Sequence, residues 1–296
     1  MKKTILNFIN PVKWIKAYKY HKTQKKYDKS SFDLELFLYS KILRNDMLHY
    51  GYFEDINIDT NDISINKFED AQVLYAKNII DQINDYDAPV LDVGCGMGGL
   101  SAMMLKKNMK VEALTPNFNQ VEYIRKKYPD LKVHHKKFED FIPSKKYKTI
   151  INSESLQYIK LEDAFSIIDL SLAKGGRWII ADYFRKIEKS SNKSGHKFDN
   201  FIKMANEKGW QVVYEKDISK NILPTIQYLN MFAQRFLIPV KHYAFEKLRF
   251  KKPWLYFMTN ELREKVDAKI YKELYSVDPD SFMNEKKYVL LVLERK

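Results

Sequence analysis

Residues 89–99 read PVLDVGCGMGG, an apolar run of strand character that leads directly into a glycine-rich turn. Glycine adopts positive φ without steric cost and leaves space for a ligand beside the backbone. If a helix begins after the turn, its first amide groups have no intrahelical partners and can bind anionic or polar ligand groups. The stretch therefore predicts a strand–turn–helix unit that holds a ligand, with Gly94 and Gly96 in the turn.

Strand and helix patterns alternate around this unit. Amphipathic segments predict helices at 99–107, 118–128, 161–173 and 199–208. This alternation is typical of a doubly wound α/β fold, in which right-handed crossovers give a mostly parallel sheet. Short apolar runs predict its seven strands, at 89–93, 111–114, 131–134, 149–151, 178–181, 210–214 and 288–293.

The rest of the chain has helical character and divides into four predicted parts. Helical spacing at 32–43 and 67–83 indicates a helical N-terminal extension, and residues 189–197 are a polar, Ser/Lys-rich loop. About 70 residues precede the last strand, too many for a simple turn, and we interpret them as a helical lid. The predicted parts are the extension (1–86), the core (87–219), the lid insertion (220–285) and the terminal strand of the core (286–296).

The composition predicts a globular protein of the cytoplasm. The hydrophobic fraction is 45%, and no apolar run approaches the roughly 18 residues that a membrane span needs. Residues 1–15 begin with two lysines but offer no small-residue cleavage site for a secretion signal. The single cysteine, Cys95, excludes an intramolecular disulfide framework and a cysteine-rich zinc site. We expect no metal site.

The net charge of +13 is unevenly distributed. Eight lysines precede the first acidic residue, Asp28, and a second basic patch lies at 241–252. Such patches attract the phosphates of nucleic acid or of anionic lipid, although a merely solvated surface is an equal alternative. Nucleic acid is the less favoured partner, because the sequence holds no N/D-P-P-Y/F tetrapeptide and no recognisable RNA-binding module. The oligomeric state is open.

Gly94, Gly96 and Gly99 also satisfy the G-x-G-x-x-G pattern of dinucleotide-binding folds. Such a site needs an acidic residue at the end of the second strand to bind the ribose, whereas this chain has Leu-Thr-Pro at 114–116. Asp92 lies in an otherwise apolar strand end, where an unpaired carboxylate would be costly. We expect it either to contact the ligand or to brace its own loop.

Residues 92–99, in the pattern D-x-G-C-G-x-G-G, resemble the first motif of class I S-adenosylmethionine (SAM)-dependent methyltransferases. Three later stretches also resemble that family in order: FED at 138–140, NSESLQYI at 152–159 and KGGRWIIADYF at 174–184. The resemblance implies a Rossmann-like core with SAM as cofactor. It places Asp92, Gly94, Gly96 and Ser153 at the cofactor, and Phe138 and Glu139 near the adenine.

A narrower resemblance is to the branch with tocopherol-type, phosphoethanolamine-type and cyclopropane-fatty-acid-type enzymes. Tyr27-Asp28 and NDMLHYGYF at 45–53 look like the segment that folds over SAM in that branch. Thr115 and Gln120 match a Thr and Gln that replace the ribose-binding acid there. The resemblance adds His49, Tyr50, Thr115, Pro116 and Gln120 to the cofactor residues.

Methyl transfer from a sulfonium requires chiefly alignment and desolvation, with a base only where the acceptor must lose a proton. The catalytic candidates are Glu154, Tyr158 and His49. Glu154 is expected at the carboxyl end of the fourth strand, where it would orient the SAM ammonium or the acceptor, or cap the loop. Tyr158 aligns with a substrate-binding His of the phosphoethanolamine-type enzymes, although packing is the commoner role for such a residue.

The predicted function is methyl transfer to a heteroatom, O or N, of a small-molecule or lipid-like acceptor. By resemblance, the bicarbonate-site Cys and Glu of the cyclopropane-type enzymes correspond to Tyr50 and Gln157, which disfavours cyclopropanation. A cyclopropane-type carbon methyltransferase and a non-catalytic SAM-binding or dinucleotide-binding protein are the alternatives.

Residues 4–20, TILNFINPVKWIKAYKY, combine aliphatic, aromatic and lysine side chains. This mixture suits the interface of an anionic membrane, where each nearby cation contributes roughly 1 kcal/mol. The segment therefore predicts peripheral contact with the inner face of the membrane; packing of its apolar side onto the core is the competing interpretation.

Overall fold

The computed structural model describes residues 10–23, 33–187 and 194–296. The chain divides into two compact units, Met1–Arg44 and Asn45–Lys296. Within the first unit, the structure gives helix α1 (Pro11–Thr23) and helix α2 (Leu34–Phe37), which continues into a π-helical turn at Leu38–Leu43. Residues 4–9 of the predicted interface segment, Tyr27-Asp28 and most of the 189–197 loop lie outside the described residues. The predicted domain limits stay predictions.

The second unit is built on one seven-stranded sheet in the order β3-β2-β1-β4-β5-β7-β6, with only β7 antiparallel to its neighbours. This arrangement confirms the predicted Rossmann-like fold class. Each predicted strand is present. β5 extends beyond its apolar centre at both ends, because it pairs with β4 from Leu172 and with β7 as far as Arg185. The strands are β1 (Val90–Val93), β2 (Val111–Thr115), β3 (Lys132–His135), β4 (Tyr147–Ser153), β5 (Leu172–Arg185), β6 (Trp210–Asp217) and β7 (Lys286–Arg295).

Helices cover both faces of the sheet. Short 3-10 turns occur at Thr60–Asp62, Phe138–Asp140 and Leu156–Tyr158. The predicted lid is helical: α8 (Ser219–Phe232) passes through a π-helical segment (Ala233–Leu237) into α9 (Ile238–Lys251), followed by α10 (Pro253–Met258), α11 (Asn260–Ser276) and α12 (Pro279–Glu285). The other helices are α3 (Ile65–Ile80), α4 (Gly99–Lys106), α5 (Phe118–Lys127), α6 (Leu161–Ser171) and α7 (Phe198–Glu207).

Two apolar clusters, one on each face, hold the sheet. One includes Tyr75 and Ile79 of α3 with residues of α4 and α8. The other is aromatic: Trp178 of β5 and Trp210 of β6 pack with Phe165 and Phe201 of the covering helices. All four residues of β1 are buried, since the strand is covered on both faces.

The strand order reverses at β1, which pairs with β2 on one side and with β4 on the other. In a doubly wound sheet, the connections leave such a pair toward opposite faces and open a crevice at the carboxyl ends of the strands. That crevice lies beside the glycine-rich turn. None of the helices in the described ranges is long and apolar enough to cross a membrane.

Trp178 offers a test of the second cluster. Trp178→Ala should lower the free energy of unfolding by about 3–5 kcal/mol, because it empties a fully buried site and removes the donor to Asn152 Oδ1 at 2.8 Å. Urea denaturation followed by circular dichroism measures the loss. Phe257→Ala, at a side chain that is 80% exposed, is the control and should change stability by less than about 0.5 kcal/mol. Equal losses would contradict the assignment of the core.

Candidate active site

The glycine-rich turn follows β1 directly. Its first amides, of Gly94 and Cys95, donate to the carbonyl of Leu114 at 2.8 and 3.1 Å, which folds the turn against β2. Gly94 and Gly96 have φ of +74° and +56°. A Cβ on Gly94 would lie 2.4 Å from Ser155 Cβ, and one on Gly96 would lie 2.9 Å from Leu48 Cδ1. Both positions therefore require glycine for backbone conformation and for close packing.

Asp92 is buried in β1, and its carboxylate accepts a hydrogen bond from the Ser101 hydroxyl of α4 at 2.6 Å. Burial raises the pKa of Asp92 to about 6. The side chain is thus tied to the helix that follows the turn. Its contact with a ligand stays a prediction.

Thr115 and Gln120 meet at the end of β2. The Thr115 hydroxyl donates to Gln120 Oε1 at 2.7 Å and accepts from the amide of Asn117 at 3.2 Å. Asn117 caps α5 through its own side chain, which fixes the start of the helix that carries Gln120. The carbonyl of Pro116 is 3.1 Å from His135 Nε2. The sequence pair is therefore adjacent in space, at the crevice.

Residues 45–53, hereafter the strap, cross the glycine-rich turn. Gln72 Nε2 of α3 donates to the carbonyls of Met47 and His49, at 2.9 and 2.6 Å. Thr225 of α8 binds both the amide and the carbonyl of Gly51, at 3.0 and 3.1 Å. Asp46 is held by α5 and the residue after it, through the hydroxyls of Tyr123 and Tyr128. Three helices thus fix the strap above the turn.

His49 is buried in the strap and stacks on Tyr75, with ring centroids 4.3 Å apart. Its Nδ1 lies 2.8 Å from the carbonyl of Tyr50, so Nδ1 carries the proton and donates. No atom of the described residues hydrogen-bonds Nε2. Burial lowers the pKa of His49 to about 4. The residue is therefore a neutral imidazole with a hydrogen-bond acceptor to offer.

Glu154 follows β4 and has a positive φ of 51°, unusual for a residue with a side chain. One carboxylate oxygen, Oε1, accepts from the amide of Tyr50 at 2.9 Å and from the hydroxyl of Tyr288 at 2.6 Å. The hydroxyls of Tyr288 and Tyr75 are 2.7 Å apart. Desolvation raises the pKa of Glu154 to about 7, against the opposing effect of its two donors.

A second carboxyl, Asp182 near the end of β5, lies close enough to Glu154 for their charges to interact. It accepts from the amides of Tyr183 at 2.8 Å and Gln157 at 3.2 Å. Burial first and then the Glu154 charge raise the pKa of Asp182 to about 8. Ser194 joins this group, because its hydroxyl is 2.7 Å from that of Tyr183 and donates to Gln157 Oε1 at 3.1 Å.

The other predicted site residues differ in their surroundings. Ser153 Oγ is 3.3 Å from the Tyr75 hydroxyl, which places it in the same group as Glu154. Phe138 is buried in the second apolar cluster, and Glu139 beside it is partly exposed. Tyr158 is 77% exposed, so it is not a core residue. The roles of these residues at a ligand stay predictions.

Four residues of the site had no signal in the motifs. In the sequence each is a polar or aromatic residue within a predicted helical or strand segment. Only the tertiary contacts show that it belongs to the site. They are Gln72 and Tyr75 on α3, Thr225 on α8 and Tyr288 on β7.

Comparison with known proteins agrees with this geometry. Residues 90–176 match the family model described as a methyltransferase domain. This match identifies a methyltransferase domain within the Rossmann-like sheet, from β1 into β5. Among curated proteins, ribosomal RNA small subunit methyltransferase A of Bacteroides thetaiotaomicron is 37% identical over 60 residues, which are 20% of this chain and 22% of that relative. The match therefore spans about a fifth of the relative's length.

Two solved methyltransferases show how far the domain's fold extends. Geranyl diphosphate C-methyltransferase from Streptomyces coelicolor A3(2), solved with Mg²⁺, geranyl diphosphate and S-adenosylhomocysteine, superposes with a TM-score of 0.62 at 16% identity, covering 84% of this chain and 91% of that one. Coclaurine N-methyltransferase, solved with N-methylheliamine and S-adenosylhomocysteine, gives 0.64 at 16% identity, covering 90% and 82%. At these identities the likeness is one of fold.

The buried carboxyl of Glu154 predicts a pH-dependent stability. Its folded pKa of about 7 lies above the ordinary value of 4.5, so between these values the unfolded chain releases a proton that the folded protein retains. The contribution of Glu154 to stability is thus present below about pH 4.5 and is lost as the pH rises through 7. Glu154→Gln keeps both hydrogen bonds on Oε1 and cannot ionise. Its stability relative to the wild type should rise from pH 4.5 to 7 and then level off.

Urea denaturation of both proteins at several pH values measures the difference. Glu122→Gln, at an exposed position on α5, is the matched control and should show no such trend. A Glu154→Gln difference that is constant over the whole pH range would show that the carboxyl is not buried as described.

Proposed function

We propose that this protein is a SAM-dependent methyltransferase that transfers the methyl group to an oxygen or nitrogen atom of a small-molecule or lipid-like acceptor. The observation that supports heteroatom transfer is Glu154, a desolvated carboxyl at the carboxyl end of β4 whose pKa is about 7. A group poised near neutral pH can take a proton from an acceptor hydroxyl or ammonium.

The residues present fit the cofactor. The turn at Gly94 and Gly96 brings backbone close to the crevice, as a nucleoside ligand needs. The Thr115–Gln120 pair supplies an amide and a hydroxyl at the end of β2, where a ribose would lie. His49 Nε2, a buried acceptor that nothing in the described chain satisfies, fits a donor group of the ligand. Asp92, Tyr50, Pro116, Phe138, Glu139 and Ser153 complete the proposed cofactor residues.

SAM supplies a methyl group that is already activated on a sulfonium. The protein then has to align the acceptor, exclude water and receive any released proton. The strap excludes water, because Gln72 and Thr225 hold it across the turn. Glu154 receives the proton, while the Tyr50 amide and the Tyr288 hydroxyl keep its carboxylate in place. Tyr158, exposed after β4, is proposed to orient the acceptor.

The alternatives are carbon methylation of the cyclopropane type and binding without catalysis. The solved relatives include both a C- and an N-methyltransferase by name, so their fold does not distinguish the acceptor atom. Tyr50 and Gln157 occupy the positions that correspond to the bicarbonate-site residues, which supports heteroatom transfer over cyclopropanation.

We also propose that α1 contacts the anionic inner face of the membrane. Within the described part of the predicted segment, four apolar or aromatic side chains are more than half exposed, and lysines alternate with them. This mixture supports a cytoplasmic protein with peripheral membrane contact. The four side chains are those of Val12, Trp14, Ile15 and Tyr18.

Cofactor binding is tested at Gln120. Gln120→Ala should weaken S-adenosylhomocysteine about tenfold, because it removes one hydrogen-bonding amide from the proposed ribose site. Isothermal titration calorimetry measures the affinity, and a rise in melting temperature with ligand provides a second measure. Lys126→Ala, exposed on the same helix, should bind as the wild type does. Unchanged affinity in Gln120→Ala would contradict the placement of the ribose.

Catalysis is tested with SAM that carries a tritium-labelled methyl group. The purified protein is incubated with metabolite and lipid extracts from cells lacking the gene, and label is followed into the organic and aqueous phases. We expect an O- or N-methylated product, with transfer reduced about 100-fold or more in Glu154→Gln. Glu122→Gln should transfer normally. Cofactor binding without transfer from any extract would favour a non-catalytic protein, and a C-methyl product would exclude the heteroatom proposal.

A further inference from the structure

The helical lid carries an apolar stripe that faces solvent. From α8 through the π-helical segment into α9 the helix is continuous, and Phe232, Phe236, Val240, Tyr243 and Phe250 recur along it at steps of three, four or seven residues. Their exposed fractions range from 43% to 75%. The rings of Phe232 and Phe236 stack with centroids 5.2 Å apart, which places them on one side of the helix. We call these five residues the stripe.

The opposite side of α9 packs against the rest of the protein. Ile238, Phe245 and Leu248 are partly buried there, and Lys241 on the same side forms an ion pair with Asp267 of α11. The stripe is therefore not the side by which α9 joins the fold. No residue of α9 or α10 is fully buried within the described chain.

Cations border the stripe. Between 235 and 252 the chain has six basic residues and one acidic residue, Glu246, which gives this segment a charge of +5 from side chains. Lys247 lies over the Tyr243 ring at 5.4 Å, and Glu246 pairs with Arg249. Within the described residues, Lys247, Lys251 and Lys252 have no acidic partner. The positive charge is thus largely uncompensated beside the exposed rings.

The two helices that follow these lysines in the chain, α10 and α11, also carry exposed apolar side chains. Phe257, Met258 and Leu262 are exposed by 80%, 73% and 61%. Large apolar patches on a protein surface indicate a binding partner, and uncompensated cations at their edge indicate that the partner is anionic. A bilayer with anionic headgroups offers both an apolar interior for rings and phosphates for lysines.

We propose that the stripe, with Phe257, Met258 and Leu262, is a docking surface for an anionic membrane. The lysines bind headgroup phosphates, and the aromatic and aliphatic side chains insert at the level where headgroups meet acyl chains. This surface consists of residues other than those of α1. The proposal does not rest on methyl transfer, since docking requires neither cofactor nor acceptor.

The first experiment measures binding of the full chain to vesicles by sedimentation. Vesicles of phosphatidylcholine with phosphatidylglycerol are compared with vesicles of phosphatidylcholine alone. The wild type should sediment with the anionic vesicles at low salt, and Lys247→Glu/Lys251→Glu should reduce the partition coefficient about tenfold or more. Lys107→Glu/Lys110→Glu changes the net charge equally at two other exposed lysines and is the matched control. Equal loss in both double variants would contradict a specific surface.

The apolar part is tested by Phe250→Ser/Phe257→Ser against Ile142→Ser/Leu170→Ser, a pair of exposed apolar residues on the core. Only the first pair should weaken vesicle binding. Each variant must keep the wild-type melting temperature without ligand, which shows that it is folded. If S-adenosylhomocysteine does not stabilise the wild type, the proposed function is contradicted and this proposal stays intact.

Tryptophan fluorescence separates this surface from α1. In Trp14→Phe the remaining tryptophans are Trp178 and Trp210, both fully buried, and Trp254 of α10. Vesicles with brominated acyl chains should quench the emission of this variant, and the further change Trp254→Phe should abolish the quenching. The proposal is overturned if Trp254 is not quenched, if deleting residues 1–23 abolishes all vesicle binding, or if the stripe variants lose only RNA binding or only self-association.

Discussion

One carboxylate oxygen connects three parts of the chain that are far apart in sequence. Oε1 of Glu154 accepts hydrogen bonds from the strap, through the Tyr50 amide, and from the last strand, through the Tyr288 hydroxyl. Glu154 itself follows β4, next to the point where the strand order reverses. This contact holds the strap over the glycine-rich turn together with those of Gln72, Thr225 and the tyrosines that bind Asp46. The position of the strap therefore depends in part on a buried carboxyl.

That arrangement is unfavourable by the ordinary rules of stability. Glu154 has a strained positive φ, and burial raises its pKa and that of the neighbouring Asp182. A purely structural position would be occupied more stably by a neutral side chain. Two desolvated carboxyls with raised pKa values, one after β4 and one near the end of β5, suit the proton transfer proposed above. The strained φ of Glu154 and the raised pKa values of Glu154 and Asp182 therefore point to the same site.

The sheet and the glycine-rich turn could be predicted from the sequence alone, because both depend on local patterns. Apolar runs located the seven strands of the sheet, and the family resemblance singled out Thr115 and Gln120, which the structure shows in contact. Tyr75 and Tyr288 could not be distinguished from core aromatics, since their hydroxyls find partners only through the pairing of β5 with β7 and the packing of α3. Within the described ranges His49 Nε2 has no hydrogen-bond partner, and this too is a property of tertiary packing.

The lid connects the strap to the stripe. α8 binds the strap at Gly51 through Thr225, and without a break the same helix continues as α9, which carries the stripe. The π-helical segment at Ala233–Leu237 lies between them, so the two are parts of one continuous helical element. The side chains of the proposed docking surface on α9 and the hydroxyl that binds the strap at Gly51 therefore lie on the same element of the lid.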